Sequence, residues 1–151
     1  MNNKKAYDLW RSAGFMLGTS YRKVSALFQS RLKPFEITPE QWSVLYQIHL
    51  EDGLIQKEIA ERTGKDRPTT TRILDHLEQK GLADRRTGDR DRRSFQVGIT
   101  DKGRELILKT LPLEMAANED VRGCMSEEEY DTLIRLLIRI DHHMKDILER
   151  E

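Results

Sequence analysis

The stretch from Gln56 to Gly103 constrains the fold of this 151-residue chain most strongly, because two short helical segments, a tight turn and a basic hairpin follow one another in it. Residues 56–63 have a helical composition, and Gly64 can adopt the left-handed conformation that ends a helix. Asp66 is placed to cap a second helix, whose first turn holds a proline that loses no hydrogen bond there. The sequence therefore predicts two short helices joined by a tight turn, with the second beginning near Arg67.

The second of these helices has one apolar face and one polar face. Ile73, Leu74 and Leu77 recur at the spacing of one helix face together with Thr70, whose hydroxyl we expect to be buried and bonded to a helix carbonyl. Two helices joined by a short turn form the helix-turn-helix motif, which presents the start of its second helix to DNA base edges. The side chains predicted to contact DNA lie on the polar face and are Arg67, Thr69, Thr71, Arg72 and His76.

A basic hairpin follows the second helix. Phe95, Val97 and Ile99 alternate with polar or small residues, which predicts a half-buried strand paired with residues 82–86. Guanidinium groups at the tip of such a two-stranded wing can follow phosphates or enter a narrow minor groove. The alternative is a solvated surface hairpin without a binding role. The tip residues predicted to contact DNA are Arg90, Asp91, Arg92 and Arg93.

Charge is distributed unevenly along the chain, although its net charge is zero. Residues 62–104 hold twelve Lys and Arg against seven Asp and Glu, whereas residues 105–151 hold six against twelve. The positive part coincides with the predicted helix-turn-helix and wing, as expected of a nucleic-acid-binding surface. No apolar run approaches the length of a membrane span, so we expect no membrane contact and a cytoplasmic location.

Amphipathic helices are predicted on both sides of this lobe. Apolar residues from Tyr7 to Phe28 recur at helical spacing and predict a helix that Pro34 ends. Near the end of the chain, Ser126 and Glu129 form a capping box before a helix whose apolar face is too wide for one neighbour to cover. A second copy of the chain would cover this face, so we expect a homodimer.

Two further helices are predicted from their caps. Thr38 opens a helix that runs towards Gly53, and Thr100 caps a helix in which Pro112 predicts a kink or a break. The predicted fold class is therefore mainly α with a small β wing, and the whole chain, 1–151, forms a single domain. Within it we expect a winged helix-turn-helix lobe at 38–103 and helical dimerisation arms at 1–35 and 105–151.

A set of short motifs spans the predicted lobe: Ala60–Arg62, Gly64, Arg67–Arg72, Leu77–Glu78, Lys80–Leu82, Arg85–Arg86, Asp91–Arg93, Thr100 and Gly103. In this order and spacing the chain resembles the MarR family of winged-helix transcriptional regulators. In that family the Asp-x-Arg of the wing pairs internally and inserts its Arg into the minor groove, which corresponds to Asp91 and Arg93. Ile55 departs from the family, because a Ser or Thr cap often stands there, and Lys65 and Thr70 occupy usually apolar places. Gln56 and Lys65 are further candidates for phosphate contacts.

The resemblance also implies a ligand pocket between the dimerisation arms and the winged lobe. There a small aromatic or phenolic molecule would change the spacing of the recognition helices. The chain is thus expected to be a homodimeric repressor that such a ligand releases from a palindromic operator on double-stranded DNA. Plain core packing is the alternative role of the candidate pocket residues. These residues are Trp10, Phe15, Tyr21, Phe35, Trp42 and Tyr46.

The remaining residues bear on other classes of function. The four histidines form no helix-spaced metal pair with a carboxylate, His142 and His143 point in different directions, and no Ser/His/Asp or Cys/His set is present. We therefore expect no enzyme activity, no metal and no cofactor. Cys124 is the single cysteine, so it forms no internal disulfide, and its oxidation is an alternative means of control. A winged helix can also bind protein instead of DNA.

Overall fold

The computed structural model describes residues 5–87 and 95–151. The helices and strands of this part follow the order predicted for a winged helix flanked by long helices, and one further strand is present. Their bounds are α1 Ala13–Leu32, α2 Pro39–Leu50, β1 Leu54–Ile55, α3 Gln56–Thr63, α4 Arg67–Gln79, β2 Ala83–Thr87, β3 Phe95–Ile99, α5 Asp101–Arg122 and α6 Glu127–Leu148. The mainly α fold class with a small β wing is confirmed.

The chain divides into two compact units, one up to Glu114 and one from Met115 to the end. The boundary falls inside α5, whereas the sequence places the beginning of the C-terminal dimerisation helices at residue 105. The assignment of the arms to dimerisation therefore stays a prediction, and the two units are described separately.

The sheet of the first unit is antiparallel, with the order β1, β3, β2. Leu54 of β1 pairs with Val97 of β3, and Arg85 of β2 pairs with Val97 from the other side. The hairpin of β2 and β3 confirms the predicted two-stranded wing. Strand β1 was not predicted, because two residues are too few to show an alternating pattern.

The core of the first unit lies among α2, α3, α4 and the sheet. Ile73, Leu74 and Leu77 are buried, which confirms the predicted inner face of α4. Thr70 is fully buried, and its hydroxyl donates to the carbonyl of Asp66 at 2.8 Å, as expected. The largest fully buried side chains from the other elements are Leu32, Val44, Leu45, Ile48, Ile59, Val97 and Ile107.

Helix α2 begins at the predicted capping box. The Thr38 hydroxyl accepts the N–H of Gln41 at 3.1 Å, and the Gln41 side chain accepts the N–H of Thr38 at 3.3 Å. The helix ends at Leu50, earlier than the predicted approach to Gly53. The early end leaves Asp52 in the turn before β1, where its carboxylate accepts the N–H of Ile99 at 3.1 Å.

The N-terminal helix was predicted to include Tyr7, and this is wrong. Helix α1 begins at Ala13, because Ser12 before it is extended. Asp8 instead caps a separate 3-10 turn by accepting the N–H of Trp10 at 3.1 Å. Side chains of this type compete for backbone donors and so interrupt an apolar pattern that is otherwise helical. The predicted C-terminal end near Pro34 is confirmed, because α1 stops at Leu32.

Of the kink or break predicted at Pro112, the break is wrong, because α5 continues through this residue, and the kink stays a prediction. Proline removes one N–H, whose acceptor would have been the carbonyl of Leu108. The Leu108 side chain is exposed, so this turn borders solvent, where water can bond the freed carbonyl. The cap of α5 follows the prediction, with the Thr100 hydroxyl accepting the N–H of Gly103 at 3.1 Å.

The second unit contains the end of α5 and all of α6. The predicted capping box is present, because the Ser126 hydroxyl accepts the N–H of Glu129 at 3.1 Å and the Glu129 carboxylate accepts that of Ser126 at 3.0 Å. The bond from the Ser126 N–H is the largest interaction that lowers the pKa of Glu129 below its ordinary value, and the side-chain bond with Ser126 follows. Arg122 lies over the ring of Tyr130 at 4.3 Å. None of the residues of α6 is buried within the single chain.

Candidate nucleic-acid interface

The turn between α3 and α4 fixes the position at which α4 begins. Gly64 has a φ of 63°, a left-handed conformation that glycine adopts without strain, and the N–H of Lys65 returns to the carbonyl of Ala60 at 3.0 Å. The carboxylate of Asp66 accepts the N–H of Thr69 at 2.7 Å, which lowers the pKa of Asp66. The start of α4 is therefore capped by a carboxylate that stays ionised at neutral pH.

The outer face of α4 carries the polar side chains that the sequence predicts for DNA contact. Arg67, Thr71, Arg72 and His76 are exposed, and Thr69 is half-buried. Arginine side chains on a helix surface can donate to phosphates or fork onto the edge of guanine. The positions of these residues on one exposed face fit a recognition helix.

Gln56, predicted to contact phosphate, lies against the start of α4. Its side-chain amide donates to the Thr71 hydroxyl and to the Arg67 carbonyl, the latter at 3.4 Å. The Thr71 hydroxyl in turn donates to the Arg67 carbonyl at 3.0 Å. The structure thus brings Gln56, Arg67 and Thr71 together, and Gln56 ties α3 to the exposed face of α4. The other candidate, Lys65, is half-buried in the turn.

The cap of α3 is incomplete, as the sequence indicates. Ile55 stands at the N-cap position and has no side-chain acceptor, so only the reciprocal half of a capping box forms. That half is the Glu58 carboxylate, which accepts the N–H of Ile55 at 3.0 Å.

His76 is held by a side chain from α2. The Gln41 side-chain oxygen accepts from the Thr38 N–H at 3.3 Å and from Lys80 Nζ at 3.2 Å, so its NH₂ group must face His76 Nδ1, 3.4 Å away. Because this NH₂ group can only donate, His76 Nδ1 accepts and the ring proton is on Nε2. The network orients the ring on the exposed face of α4.

Two consecutive arginines of β2 point to opposite faces of the sheet. Arg85 meets the carboxylates of Asp75 at 2.7 Å and Glu78 at 3.3 Å, both on α4. Arg86 meets Asp52 at 3.1 Å and Asp84 at 3.0 Å. The bond to Asp52 is the largest of the interactions that raise the pKa of Arg86 above its ordinary value. The base of the wing is thus bound both to the recognition helix and to the turn before β1.

The pairing partners of these arginines were missed by the sequence analysis. Strand alternation does place neighbouring side chains on opposite faces, so the separation of Arg85 from Arg86 could have been predicted. Gly98 also contributes, because a Cβ there would overlap the Arg86 guanidinium and lie 2.7 Å from Asp84 Oδ1. The absence of a side chain at Gly98 lets Arg86 lie across β3.

Part of the predicted wing lies outside the described residues. These are the tip residues Arg90, Asp91, Arg92 and Arg93, so their contact with DNA stays a prediction. Within β3, Val97 and Ile99 are buried as expected of the inner face of a half-buried strand, but Phe95, which was expected on the same face, is 52% exposed. Phe95 pairs with Thr87 at the end of the hairpin nearest its turn, and it lines a cleft of about 250 Å³ with Gln56, Lys57, Arg67 and Arg85.

Comparison with known proteins identifies this arrangement. The MarR family matches residues 35–94, which include the helix-turn-helix and the first strand of the wing, β2. A structure of the transcriptional repressor CouR bound to a 23-mer DNA duplex is 32% identical, with a TM-score of 0.80, and the match covers 91% of this chain and 97% of CouR. The chain belongs to the MarR family. The family and the fold are those of DNA-binding transcriptional regulators.

Two other MarR-like structures have DNA bound. A mutant of E. coli MarR in complex with operator DNA is 25% identical, has a TM-score of 0.79, and the match covers 84% of this chain and 91% of that one. The S. aureus MepR–DNA complex is 24% identical and has a TM-score of 0.80, and the match covers 87% of this chain and 98% of MepR. This similarity shows the shared fold. These similarities extend over nearly the whole chain and are not confined to the winged lobe.

The aromatic residues predicted for an effector pocket of this MarR-family protein lie in two pairs. Trp10 and Phe15 meet edge to face at 5.2 Å, and Trp42 stacks on Tyr46 at 5.0 Å. Trp42 is only 6% exposed, and its indole N–H donates to the Thr110 hydroxyl at 2.7 Å, which is a core position. The effector pocket itself stays a prediction.

The other two candidates, Tyr21 and Phe35, have different surroundings. Tyr21 is 56% exposed, as Trp10 is at 68%. Phe35 lines a different cavity of about 380 Å³ with the apolar side chains of Leu82 and Leu106. The polar lining of this cavity comes from Glu36, Lys80, Lys102, Glu105 and Lys109.

Three other features of the described part of the chain concern metal binding, membrane insertion and oxidation. There, no three His, Cys, Asp or Glu side chains form a cluster that could hold a metal ion. No helix in residues 5–87 or 95–151 is long and apolar enough to cross a membrane. Cys124 is exposed, and its S–H donates to the carbonyl of Val121 at 3.3 Å. Control by oxidation of Cys124 stays a prediction.

Proposed function

We propose that this MarR-family regulator binds an inverted-repeat operator as a homodimer, represses transcription there, and is released by a small aromatic or phenolic ligand. The observation that carries the proposal is the outer face of α4. Its first turn is capped by Asp66 and tied to α3 by Gln56, and both Arg67 and Arg72 are exposed on it. A rigid, cationic helix start is what insertion into a major groove requires.

The side chains of α4 have different proposed roles. Arg67 and Arg72 supply charged donors for phosphates or guanine. The Thr71 hydroxyl is already bonded to Gln56 and to the Arg67 carbonyl, so Thr71 offers mainly its methyl group, which suits a thymine methyl. The proton on His76 Nε2 makes that ring a donor. Thr69, half-buried at the first turn, is placed for a backbone phosphate.

The wing supplies the second proposed contact. Its base is held by the ion pairs of Arg85 with Asp75 and of Arg86 with Asp52. Arg90, Arg92 and Arg93 in the minor groove, with Asp91 pairing beside Arg93, are the proposed tip contacts. A narrow minor groove attracts arginine through its enhanced negative potential.

The homodimer is supported by the apolar face of α6. Ile138 is 51% exposed, and Ile134, Ile140, Met144 and Leu148 on the same helix are also exposed. So long an apolar face on one helix is costly in water and is covered economically by a second copy. Two recognition helices related by a two-fold axis would meet half-sites about one helical turn apart.

Light scattering tests the dimer. A charge in the apolar face, Ile138→Glu, should convert the dimer to a monomer, whereas Arg139→Glu on the neighbouring position should leave it a dimer. A dimer that survives Ile138→Glu would place the interface elsewhere.

Repression is supported by CouR, which is named as a transcriptional repressor bound to DNA. Release by a ligand is supported by Trp10, which is largely exposed, meets the half-buried Phe15 edge to face and is available for stacking. A regulator of this type acts on genomic DNA, and we propose a cytoplasmic location for it.

The contribution of α4 is tested by fluorescence anisotropy on duplex DNA at a series of salt concentrations. Arg72→Ala should weaken binding, and if Arg72 contacts phosphate the salt slope should fall by about one per protomer. Arg139→Ala, which removes an equal charge from α6, is the matched control and should change neither value. Unchanged affinity in Arg72→Ala would refute the placement of α4 in the groove. Wild-type protein that binds no duplex would favour a protein partner.

A further inference from the structure

Arg85 lies between the wing and the recognition helix and is engaged on both sides. Its backbone belongs to β2, paired with Val97 of β3, and its side chain is only 26% exposed. The guanidinium meets Asp75 at 2.7 Å and Glu78 at 3.3 Å, and it donates to the carbonyl of Thr71 at 3.5 Å. All three acceptors are on α4, spaced along one side of the helix.

The ion pairs neutralise Arg85 within the protein. Two carboxylates surround one guanidinium, so no net positive charge is left at this position for a phosphate. Releasing counterions from DNA requires cations that pair with phosphates, which a guanidinium with two protein carboxylates does not do. The contribution of Arg85 to DNA binding must therefore come from geometry.

The geometry that Arg85 controls is the angle between α4 and the wing. Strands β2 and β3 form the base of the wing. The Arg85 side chain binds β2 to α4, the helix that carries Thr71 and Arg72. Contacts in the major groove and the adjacent minor groove are made together only when this angle is correct, because a misplacement of about 1 Å is enough to lose a designed contact.

We propose that Arg85, with Asp75 and Glu78, is a positioning clamp that sets the wing against the recognition helix and so determines sequence specificity without touching DNA. This inference rests on the proposed function and adds to it three residues that the sequence analysis did not include in the site.

The clamp and a simple charge effect predict opposite results for one variant. Asp75→Asn with Glu78→Gln removes two negative charges from α4 and leaves Arg85 in place. If only charge matters, this variant binds every duplex more tightly. If the clamp matters, specific binding weakens, because Arg85 no longer holds α4, while non-specific binding strengthens or stays constant.

The experiment first selects an operator from a random duplex library with the wild-type protein. It then compares each variant's affinity for this operator and for a random duplex at one salt concentration. We expect the operator-to-random affinity ratio to fall about tenfold in the Asp75→Asn, Glu78→Gln variant, the size of coupling that contacting residues show. The matched control is Glu40→Gln with Glu61→Gln, two exposed carboxylates of the same lobe. It changes the charge equally and should leave the ratio unchanged.

A second variant keeps the test valid if the first is destabilised. Arg85→Gln removes the same clamp from the other side, and it should lower the ratio by a similar factor with little change in the salt slope. Melting curves identify any variant that fails to fold, and Glu78→Gln alone provides a milder form. A ratio that stays constant or rises in the folded variants would overturn the clamp. Wild-type protein that selects no sequence would instead contradict the proposed function.

Discussion

Removing the Thr110 hydroxyl isolates one buried hydrogen bond that ties α2 to α5. Thr110 is fully buried, its hydroxyl accepts the indole N–H of Trp42 at 2.7 Å and donates to the carbonyl of Leu106 at 2.7 Å. Thr110→Val keeps the shape of the side chain and removes only the hydroxyl. The Leu106 carbonyl retains its helical N–H, but the Trp42 N–H is left buried without an acceptor.

The expected cost follows from that single orphaned donor. An unsatisfied buried donor costs about 1–3 kcal/mol of the free energy of unfolding. For a chain of this size, each kcal/mol lowers the melting temperature by about 2–4 °C, so we expect a decrease of about 2–12 °C. Urea unfolding followed by far-ultraviolet circular dichroism, at one fixed protein concentration, measures the free energy directly.

A double-mutant cycle identifies the cause. In a Trp42→Phe background the indole donor is gone, so Thr110→Val should cost close to nothing. An equal loss of stability in both backgrounds would refute the reasoning, because the cost would then not come from the Trp42 N–H.

Three further variants test other parts of the structure. Gly98→Ala should lower the melting temperature by displacing a guanidinium, and the loss should be smaller in an Arg86→Ala background; equal losses would exclude that contact. Asp66→Asn should be less stable than wild type at neutral pH and converge with it in acid. The reason is that the pKa of Asp66 is lowered in the folded state, so its contribution is complete above the ordinary carboxyl pKa and is lost as the pH falls through the lowered value; parallel pH curves would contradict this. Leu77→Ala should cost about 2–5 kcal/mol in urea unfolding, and a cost below about 1 kcal/mol would show that the inner face of α4 is loosely packed.

The elements that the sequence predicted well are those set by local chemistry. The caps at Thr38, Asp66 and Ser126 each depend on a side chain and a backbone N–H three residues away. A short stretch of sequence is therefore enough to predict them. The bounds of α3 and α4 follow from Gly64 and Asp66 in the same way. The inner face of α4 was also predicted, because its period is that of a helix.

The features that the sequence did not predict depend on partners far apart in the chain. Arg85 was assigned to a basic hairpin, and only the fold shows that Asp75 and Glu78 neutralise it. Strand β1 exists through its pairing with β3 and has no pattern of its own. The start of α1 was predicted too early, because the apolar spacing through Tyr7 continues across a local cap that interrupts the helix.

Selection of bound sequences from a random duplex library at physiological salt shows whether this chain reads DNA sequence as a symmetric dimer. We predict enrichment of an inverted repeat whose half-sites lie about one helical turn apart. Sequencing of the bound pool would contradict the account if it showed no enriched sequence, or a single half-site without a symmetric partner.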